Sequence, residues 1–229
     1  YVEDVLAAVE LAKTEEGIDP DRVYILGHSQ GGMLAPMFLS EGADVAGMIL
    51  FAGTPRSFFD ILDDQQAEVI KYYEESGMDD MVESYQVMQE QWKKEREALA
   101  TMTEEEAKQA GTVYQMPAYY MYTLEQYDAI ADIKALAKPT LILQGSADYQ
   151  VYADKDYQVY LDELTGEPYV EFNLYDGLNH LFMPSQATNM MEAMAEYNAK
   201  SQIPDDVFDD IAAWIGLYRR QKPVQGCLA

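Results

Sequence analysis

The strongest constraint on the fold is a serine between glycines, placed where an apolar run gives way to a helical stretch. Residues 23–26 (Val-Tyr-Ile-Leu) follow a turn rich in Gly, Pro and Asp, and their length and composition predict a buried strand. Residues 27–32 (Gly-His-Ser-Gln-Gly-Gly) come next, and the helical pattern of residues 33–39 tolerates Pro36 in its first turn. This arrangement predicts a strained Ser29 with an exposed hydroxyl, because side chains in place of the glycines would collide with neighbouring backbone.

Three further apolar runs predict strands, and helical patterns separate them. Residues 45–52 and 140–144 are mainly apolar, which is typical of strands buried on both faces, while polar residues interleaved in 169–174 indicate an edge strand. A helix is predicted at 128–137. Another is predicted near the C-terminus, with one apolar face formed by Val207, Phe208, Ile211, Trp214, Ile215 and Tyr218. Strands that alternate with helices predict an α/β fold with a mostly parallel sheet flanked by helices.

A long segment separates the second predicted strand from the third. Residues 57–127 exceed the length of a connecting loop, and they are rich in Glu, Gln, Met and Tyr. Their periodic apolar positions predict several helices packed as a cap. The sequence therefore divides into a core segment at 1–56, a helical cap at 57–127 and a second core segment at 128–229. The aromatic and Met side chains of the cap either line an apolar pocket or form the cap's own core.

Charge and cysteine content exclude several classes of function. With 41 acidic and 15 basic residues the formal net charge is −26, which repels phosphate backbones and anionic membrane surfaces, so no nucleic-acid partner is expected. The sequence contains no run of about 18 apolar residues, so no membrane span is predicted. Cys227 is the single cysteine, so neither an internal disulfide nor a cysteine-based metal site is expected. No compartment or oligomeric state is predicted.

A serine hydroxyl becomes nucleophilic only with a base within hydrogen-bond reach, and the chain has two histidines. His28 adjoins Ser29, where a sharp turn would point its ring away from the hydroxyl. His180 lies in the loop after the fourth predicted strand and is therefore the predicted base. The alternative of a phosphate-binding turn lacks the lysine that such a loop carries.

The imidazole in turn needs a carboxylate that fixes its tautomer. Asp148 lies directly beyond the third predicted strand, at the sheet edge where such sites collect, and it is favoured over its competitors Asp154, Asp156 and Asp176. The backbone N–H of Gln30, at the start of the helix after Ser29, is the predicted donor to a developing oxyanion.

Taken together, segments 27–32, 145–148 and 177–180 resemble the α/β-hydrolase superfamily, in which the residues follow the chain order Ser, Asp, His. The sequence is most similar to bacterial esterases grouped with dienelactone hydrolases and cinnamoyl or acetyl esterases. The resemblance implies a carboxylic ester hydrolase that acts through an acyl-enzyme on a small-molecule ester, with no metal or organic cofactor. Two alternatives remain open: a serine peptidase of the prolyl oligopeptidase kind, and a non-catalytic binding protein on the same scaffold.

The sequence departs from the family before its first strand. Family members place about four strands and a helix ahead of the serine strand, together with a loop that gives a second oxyanion donor, and the resemblance implies that these precede Tyr1. Without them, residues 23–26 are expected to form an open apolar edge, and this stretch alone is expected to be poorly soluble or inactive. The acidic surface is expected to favour neutral esters over anionic ones.

Overall fold

A four-stranded sheet lies at the centre of the computed structural model, which describes residues 1–218. Cys227 and the last residues of the predicted segment 128–229 lie outside the described residues. The strands are β1 (Tyr24–His28), β2 (Gly47–Phe51), β3 (Thr112–Val113), β4 (Met116–Pro117), β5 (Thr140–Gly145) and β6 (Val170–Tyr175). The helices are α1 (Val2–Thr14), α2 (Gln30–Ser40), α3 (Phe58–Glu75), α4 (Asp79–Leu99), α5 (Glu104–Gln109), α6 (Ala118–Glu125), α7 (Ala129–Leu136), α8 (Gln158–Leu164), α9 (Met190–Glu196) and α10 (Asp205–Tyr218).

The central sheet has the strand order β1-β2-β5-β6, and every pair in it is parallel. The predicted α/β fold, with a mostly parallel sheet flanked by helices, is confirmed. Strand β6 lies at one edge, as its alternating polarity predicts. Strand β1 lies at the other edge of the described sheet, where Leu26 is 52% exposed. The carboxyl ends of all four strands therefore meet at one side of the sheet, where sites in such folds collect.

Strand β2 shows why these apolar runs become central strands. All five of its residues are buried. Met48 and Leu50 pack into the larger core with α2 and α7, whereas Ile49 and Phe51 pack into the opposite core with Trp214. Successive strand residues point to opposite faces, so a strand covered by helices on both sides needs apolar residues throughout.

Two details of the helices differ from the sequence predictions. Helix α2 begins at Gln30, directly after Ser29, so Pro36 lies inside the helix rather than in its first turn. Gly31 and Gly32 are part of the helix, which the sequence pattern did not indicate. In α10, Phe208 is 52% exposed because the buried stripe passes through Val207 and Trp214, and Phe208 lies beside that stripe.

The segment between β2 and β5 holds helices α3 to α6, and it also contains the short antiparallel pair of β3 and β4. The sequence analysis predicted helices alone there. Arg96 of α4 links several elements of this segment, because its guanidinium contacts Asp60, Asp63 and Glu125 and lies over the Phe59 ring. The division into core and cap stays a prediction.

Among residues 1–218, no helix combines the length and the apolar character needed to cross a membrane.

Candidate active site

Ser29 lies at the sharp turn between β1 and α2. Its backbone has φ 55° and ψ −120°, a left-handed conformation that residues with a side chain rarely adopt. The Ser29 N–H donates to the carbonyl of Phe51 at 2.8 Å, which ties the turn to the end of β2. The carbonyl of Ser29 accepts the first helical hydrogen bond from Met33 at 3.0 Å. The surrounding backbone therefore holds the strained residue in place.

Two glycines make this turn possible. A Cβ atom on Gly27 would lie 2.0 Å from the carbonyl oxygen of Gly31, inside any allowed contact distance. A Cβ atom on Gly32 would lie 2.9 Å from the Gly27 carbonyl oxygen and 3.0 Å from the Cα of Gly53. Strand β1 and helix α2 approach each other too closely for side chains at these positions, so the glycines allow the sharp turn.

The imidazole of His180 lies against the serine hydroxyl. Its Nε2 is 2.9 Å from Ser29 Oγ, and its side chain lies in a loop beyond the carboxyl end of β6. The neighbouring Asn179 side chain shapes this loop by accepting hydrogen bonds from the N–H groups of Leu181 and Met183, at 3.0 and 3.2 Å. His180 is only 5% exposed, so the loop holds its ring in a largely buried position.

Asp148 lies behind the imidazole, and its Oδ2 is 2.8 Å from His180 Nδ1. The carboxylate is 3% exposed and fully hydrogen-bonded. Its Oδ1 accepts from the backbone N–H groups of Gln150 and Val151 at 2.8 and 3.0 Å, and its Oδ2 also accepts from Gln144 Nε2 at 3.0 Å. These donors fix the orientation of the carboxylate toward His180.

The structure thus brings Ser29, His180 and Asp148 into one line of hydrogen bonds. Gln30 is the first residue of α2, and helix geometry leaves its N–H without an intrahelical acceptor, next to Ser29. Such an arrangement has a hydroxyl, a base able to take its proton, and a carboxylate that orients the base. Among the residues described, no group of three His, Cys, Asp or Glu side chains is placed to hold a metal ion.

The three competing acids occupy other environments. Asp156 is fully buried, and it accepts hydrogen bonds from Thr54 Oγ1 at 2.6 Å and from the Tyr152 N–H at 2.7 Å. Burial raises the pKa of Asp156, a shift that these donors and the nearby Arg56 oppose. Asp176 is bonded to Ser146 Oγ at 3.1 Å, and Asp154 is exposed. Of these four carboxylates, Asp148 is the one bonded to the imidazole.

His28 contributes a contact that the sequence did not indicate. Its Nε2 is 2.8 Å from the backbone carbonyl oxygen of His180, whereas the Ser29 hydroxyl is bonded to the His180 ring. The two histidine rings lie 4.9 Å apart. Burial lowers the pKa of His28, and the hydrogen bond to the His180 backbone opposes this shift. Because a carbonyl oxygen can only accept, His28 Nε2 carries the hydrogen of this bond. This bond ties the loop carrying His180 to the strand that precedes Ser29.

Gln144 was not singled out in the sequence, and Gly145 was noted there only as part of segment 145–148. Gln144 donates to Asp148 and to the carbonyls of Gly145 and Val151, so it supports the loop after β5. A Cβ atom on Gly145 would lie 2.2 Å from the Leu178 carbonyl oxygen, which shows how closely the two loops approach. Gln144 is a polar residue near the end of an otherwise apolar strand, and this position could have marked it as a candidate site residue.

Comparisons with known proteins give relatives of this chain. The profile of a family described as "Serine aminopeptidase, S33" matches residues 1–185. The chain is 32% identical over 214 residues to Esterase EstD of Thermotoga maritima, a match that covers 93% of this chain and 47% of the relative. The chain therefore spans about half the length of this curated relative.

Two solved structures share the fold. An esterase of Pyrococcus furiosus, Pf2001, aligns with a TM-score of 0.50 at 15% identity, over 94% of this chain and 60% of the other. A putative non-heme bromoperoxidase of Mycobacterium tuberculosis, BpoC, aligns with a TM-score of 0.50 at 14% identity, over 95% of this chain and 73% of the other.

Proposed function

This chain belongs to the serine aminopeptidase S33 family of the α/β-hydrolase superfamily, and from this premise we propose that the protein is a serine hydrolase that cleaves carboxylic esters. One observation carries the proposal: Ser29 Oγ, the imidazole of His180 and the carboxylate of Asp148 form a continuous line of hydrogen bonds of 2.9 and 2.8 Å. The 32% identity to a protein named an esterase supports the choice of ester as the substrate class.

The proposed reaction has two steps. His180 Nε2 takes the hydroxyl proton as Ser29 Oγ attacks the ester carbonyl, and the buried carboxylate of Asp148 stabilises the imidazolium that results. The negative charge on the tetrahedral oxygen is stabilised by the Gln30 N–H and the positive end of α2. His180 then gives its proton to the departing alcohol, and the acyl group stays on Ser29.

Water completes the cycle. His180 removes a proton from a water molecule that attacks the acyl carbonyl, and the same oxyanion donor stabilises the second tetrahedral intermediate. Collapse of that intermediate releases the acid and returns the proton to Ser29 Oγ. The loss of one oxyanion donor from such sites costs about 2.7 to 4 kcal/mol of transition-state stabilisation. The position of the Gln30 N–H is therefore a large part of the proposed rate enhancement.

A peptide amide is a second candidate substrate, because the matching family is described as serine aminopeptidase. The same line of hydrogen bonds serves amide cleavage, in which His180 would protonate an amine instead of an alcohol. A pair of substrates with one acyl group, an alanine 4-nitroanilide and an alanine 4-nitrophenyl ester, separates the two. Cleavage of the ester alone supports the esterase, and efficient cleavage of the anilide supports the peptidase.

The decisive experiment combines activity with covalent labelling in the full-length protein. We expect hydrolysis of 4-nitrophenyl butyrate, and a fluorophosphonate probe is expected to modify Ser29. The Ser29→Ala variant should lose both. Ser40→Ala is the matched control, since Ser40 is an exposed helical serine bonded to Asp132, and it should retain both. A protein that is not labelled and does not hydrolyse the ester would favour a binding role on a hydrolase scaffold.

A further inference from the structure

The end of helix α9 is bonded to the chain that leaves the His180 loop. This loop is closed at its base, where the Ser185 N–H donates to the Gly177 carbonyl at 2.9 Å. The next residue, Gln186, donates its N–H to Glu196 Oε1 at 2.9 Å. Glu196 is the last residue of α9, so this helix end is fixed to the base of the loop that carries the proposed catalytic base.

Tyr197, directly after α9, binds the other loop of the site. Its hydroxyl accepts a hydrogen bond of 2.6 Å from Gln150 Nε2, and both side chains are half-buried. Burial raises the pKa of Tyr197, so its hydroxyl stays neutral at pH 7. Gln150 lies in the loop after β5, two residues beyond Asp148. Consecutive residues at one helix end, Glu196 and Tyr197, therefore bind the two loops that carry the partners of the serine.

Gln150 holds the backbone donors that face the Asp148 carboxylate. Its own N–H donates to Asp148 Oδ1 at 2.8 Å. Its carbonyl accepts from Gln65 Nε2 of α3 at 3.0 Å, and the same peptide group carries the Val151 N–H, which donates to Asp148 Oδ1 at 3.0 Å. Because its side chain is bonded to Tyr197 as well, Gln150 has little freedom to move, and both donors keep their direction.

We propose that Tyr197 is a positioning residue for the proposed ester hydrolysis. Its hydroxyl holds Gln150, and the backbone donors at Gln150 hold the Asp148 carboxylate in line with His180 Nδ1. Tyr197 thus acts through the carboxylate rather than on the reacting atoms. Since Glu196 fixes the same helix end to the His180 loop, the Tyr197 hydroxyl also sets where the acid loop lies relative to that loop. The inference rests on the proposed function and adds a residue to its machinery.

The test removes only the hydroxyl. Tyr197→Phe keeps the ring, and we expect kcat for 4-nitrophenyl butyrate to fall by about 3- to 10-fold in the full-length protein, which is the factor that one hydrogen bond contributes. Both proposed steps use His180, so both should slow together and KM should stay within about twofold. Tyr119→Phe is the matched control, because Tyr119 is exposed and its hydroxyl donates to Glu104 at 3.1 Å, and it should keep the kcat of the unmodified protein.

A second variant changes the other side of the bond. Gln150→Met removes the side-chain donor and keeps the backbone N–H that faces Asp148, so it should lower kcat by the same factor as Tyr197→Phe. The double variant should lose no more than either single variant, because one bond is removed in each case. Losses that multiply in the double variant would overturn the proposal. Gln91→Met, at an exposed glutamine that donates to Glu95, should leave kcat unchanged.

A third comparison separates positioning from general stability. In the Asp148→Ala protein no carboxylate is left to orient, so adding Tyr197→Phe should lower the residual kcat by less than about twofold. The melting temperature of each variant shows that it is folded. An equal fold-loss with and without Asp148, or an unchanged kcat in Tyr197→Phe alone, would overturn the positioning role. Failure of the unmodified protein to hydrolyse the ester would instead count against the proposed function.

Discussion

Asp148→Asn is the sharpest test of the proposed role of the carboxylate, because the NH₂ group of the asparagine would face hydrogen-bond donors at either oxygen position. At the Oδ1 position the NH₂ would face two backbone N–H donors, those of Gln150 and Val151. At the Oδ2 position it would face Gln144 Nε2 and His180 Nδ1. The backbone donors cannot rotate, so we expect the NH₂ group at the Oδ2 position.

This placement changes the tautomer of the imidazole. Facing an NH₂ donor, His180 Nδ1 would become an acceptor, and the ring proton would move to Nε2, beside Ser29 Oγ. In that tautomer the ring cannot take the hydroxyl proton. The Gln144 amide cannot flip to accept a hydrogen bond from the new NH₂ group, because its Nε2 also donates to the carbonyls of Gly145 and Val151. A wrong tautomer of this kind lowers kcat by about 10⁴-fold, which corresponds to about 5 kcal/mol in the activation barrier.

The assay is steady-state hydrolysis of 4-nitrophenyl butyrate, with the melting temperature measured on the same samples. KM should change little, since Asp148 is 3% exposed and lies behind the imidazole. Asp176→Asn provides the control, because Asp176 is bonded to Ser146 rather than to His180, and it should keep nearly full activity. A folded Asp148→Asn protein with a kcat within tenfold of that of the unmodified protein would refute the reasoning.

Two further predictions concern the turn and its neighbour. Gly27→Ala places a Cβ atom 2.0 Å from the Gly31 carbonyl oxygen, so the free energy of unfolding measured in urea should fall by about 3 kcal/mol or more. Gly111→Ala is the control, because its Cβ would meet open space, and its free energy of unfolding should stay within about 0.5 kcal/mol of that of the unmodified protein. Burial lowers the pKa of His28 from its ordinary 6.5, so the neutral ring stabilises the folded state above about pH 6.5, and this stabilisation is lost as the pH falls further. His28→Gln keeps a donor for the His180 carbonyl but does not titrate, so its melting temperature should fall less steeply with acid; equal slopes for the two proteins would contradict the role of His28.

The parallel sheet could be predicted from the sequence because its strands are bounded apolar runs. In β2 and β5 both faces are buried, so hydrophobicity alone marks the strand. The turn at Ser29 could be predicted because a steric requirement fixes its glycines. The proximity of Ser29, His180 and Asp148 could also be predicted, because the loops that follow parallel strands lie at one edge of the sheet.

Features that depend on contacts distant in the chain could not be predicted. The β3–β4 pair turns through Tyr114 and Gln115, both with positive φ, although glycine, asparagine or aspartate usually occupies such positions. Phe208 shares the apolar character of its helix, and the exposure of that side chain depends on which neighbours the helix meets. Likewise, the bond from His28 to the His180 carbonyl joins two segments that the sequence does not relate.

The loop after β5 connects the proposed chemistry to helix α3. Asp148 orients His180 from the start of this loop, and Gln150 accepts the hydrogen bond from Gln65 of α3. A few residues on, the Tyr152 N–H is bonded to the buried Asp156. This one short loop therefore makes all three contacts, and it joins the carboxylate that orients His180 to helix α3.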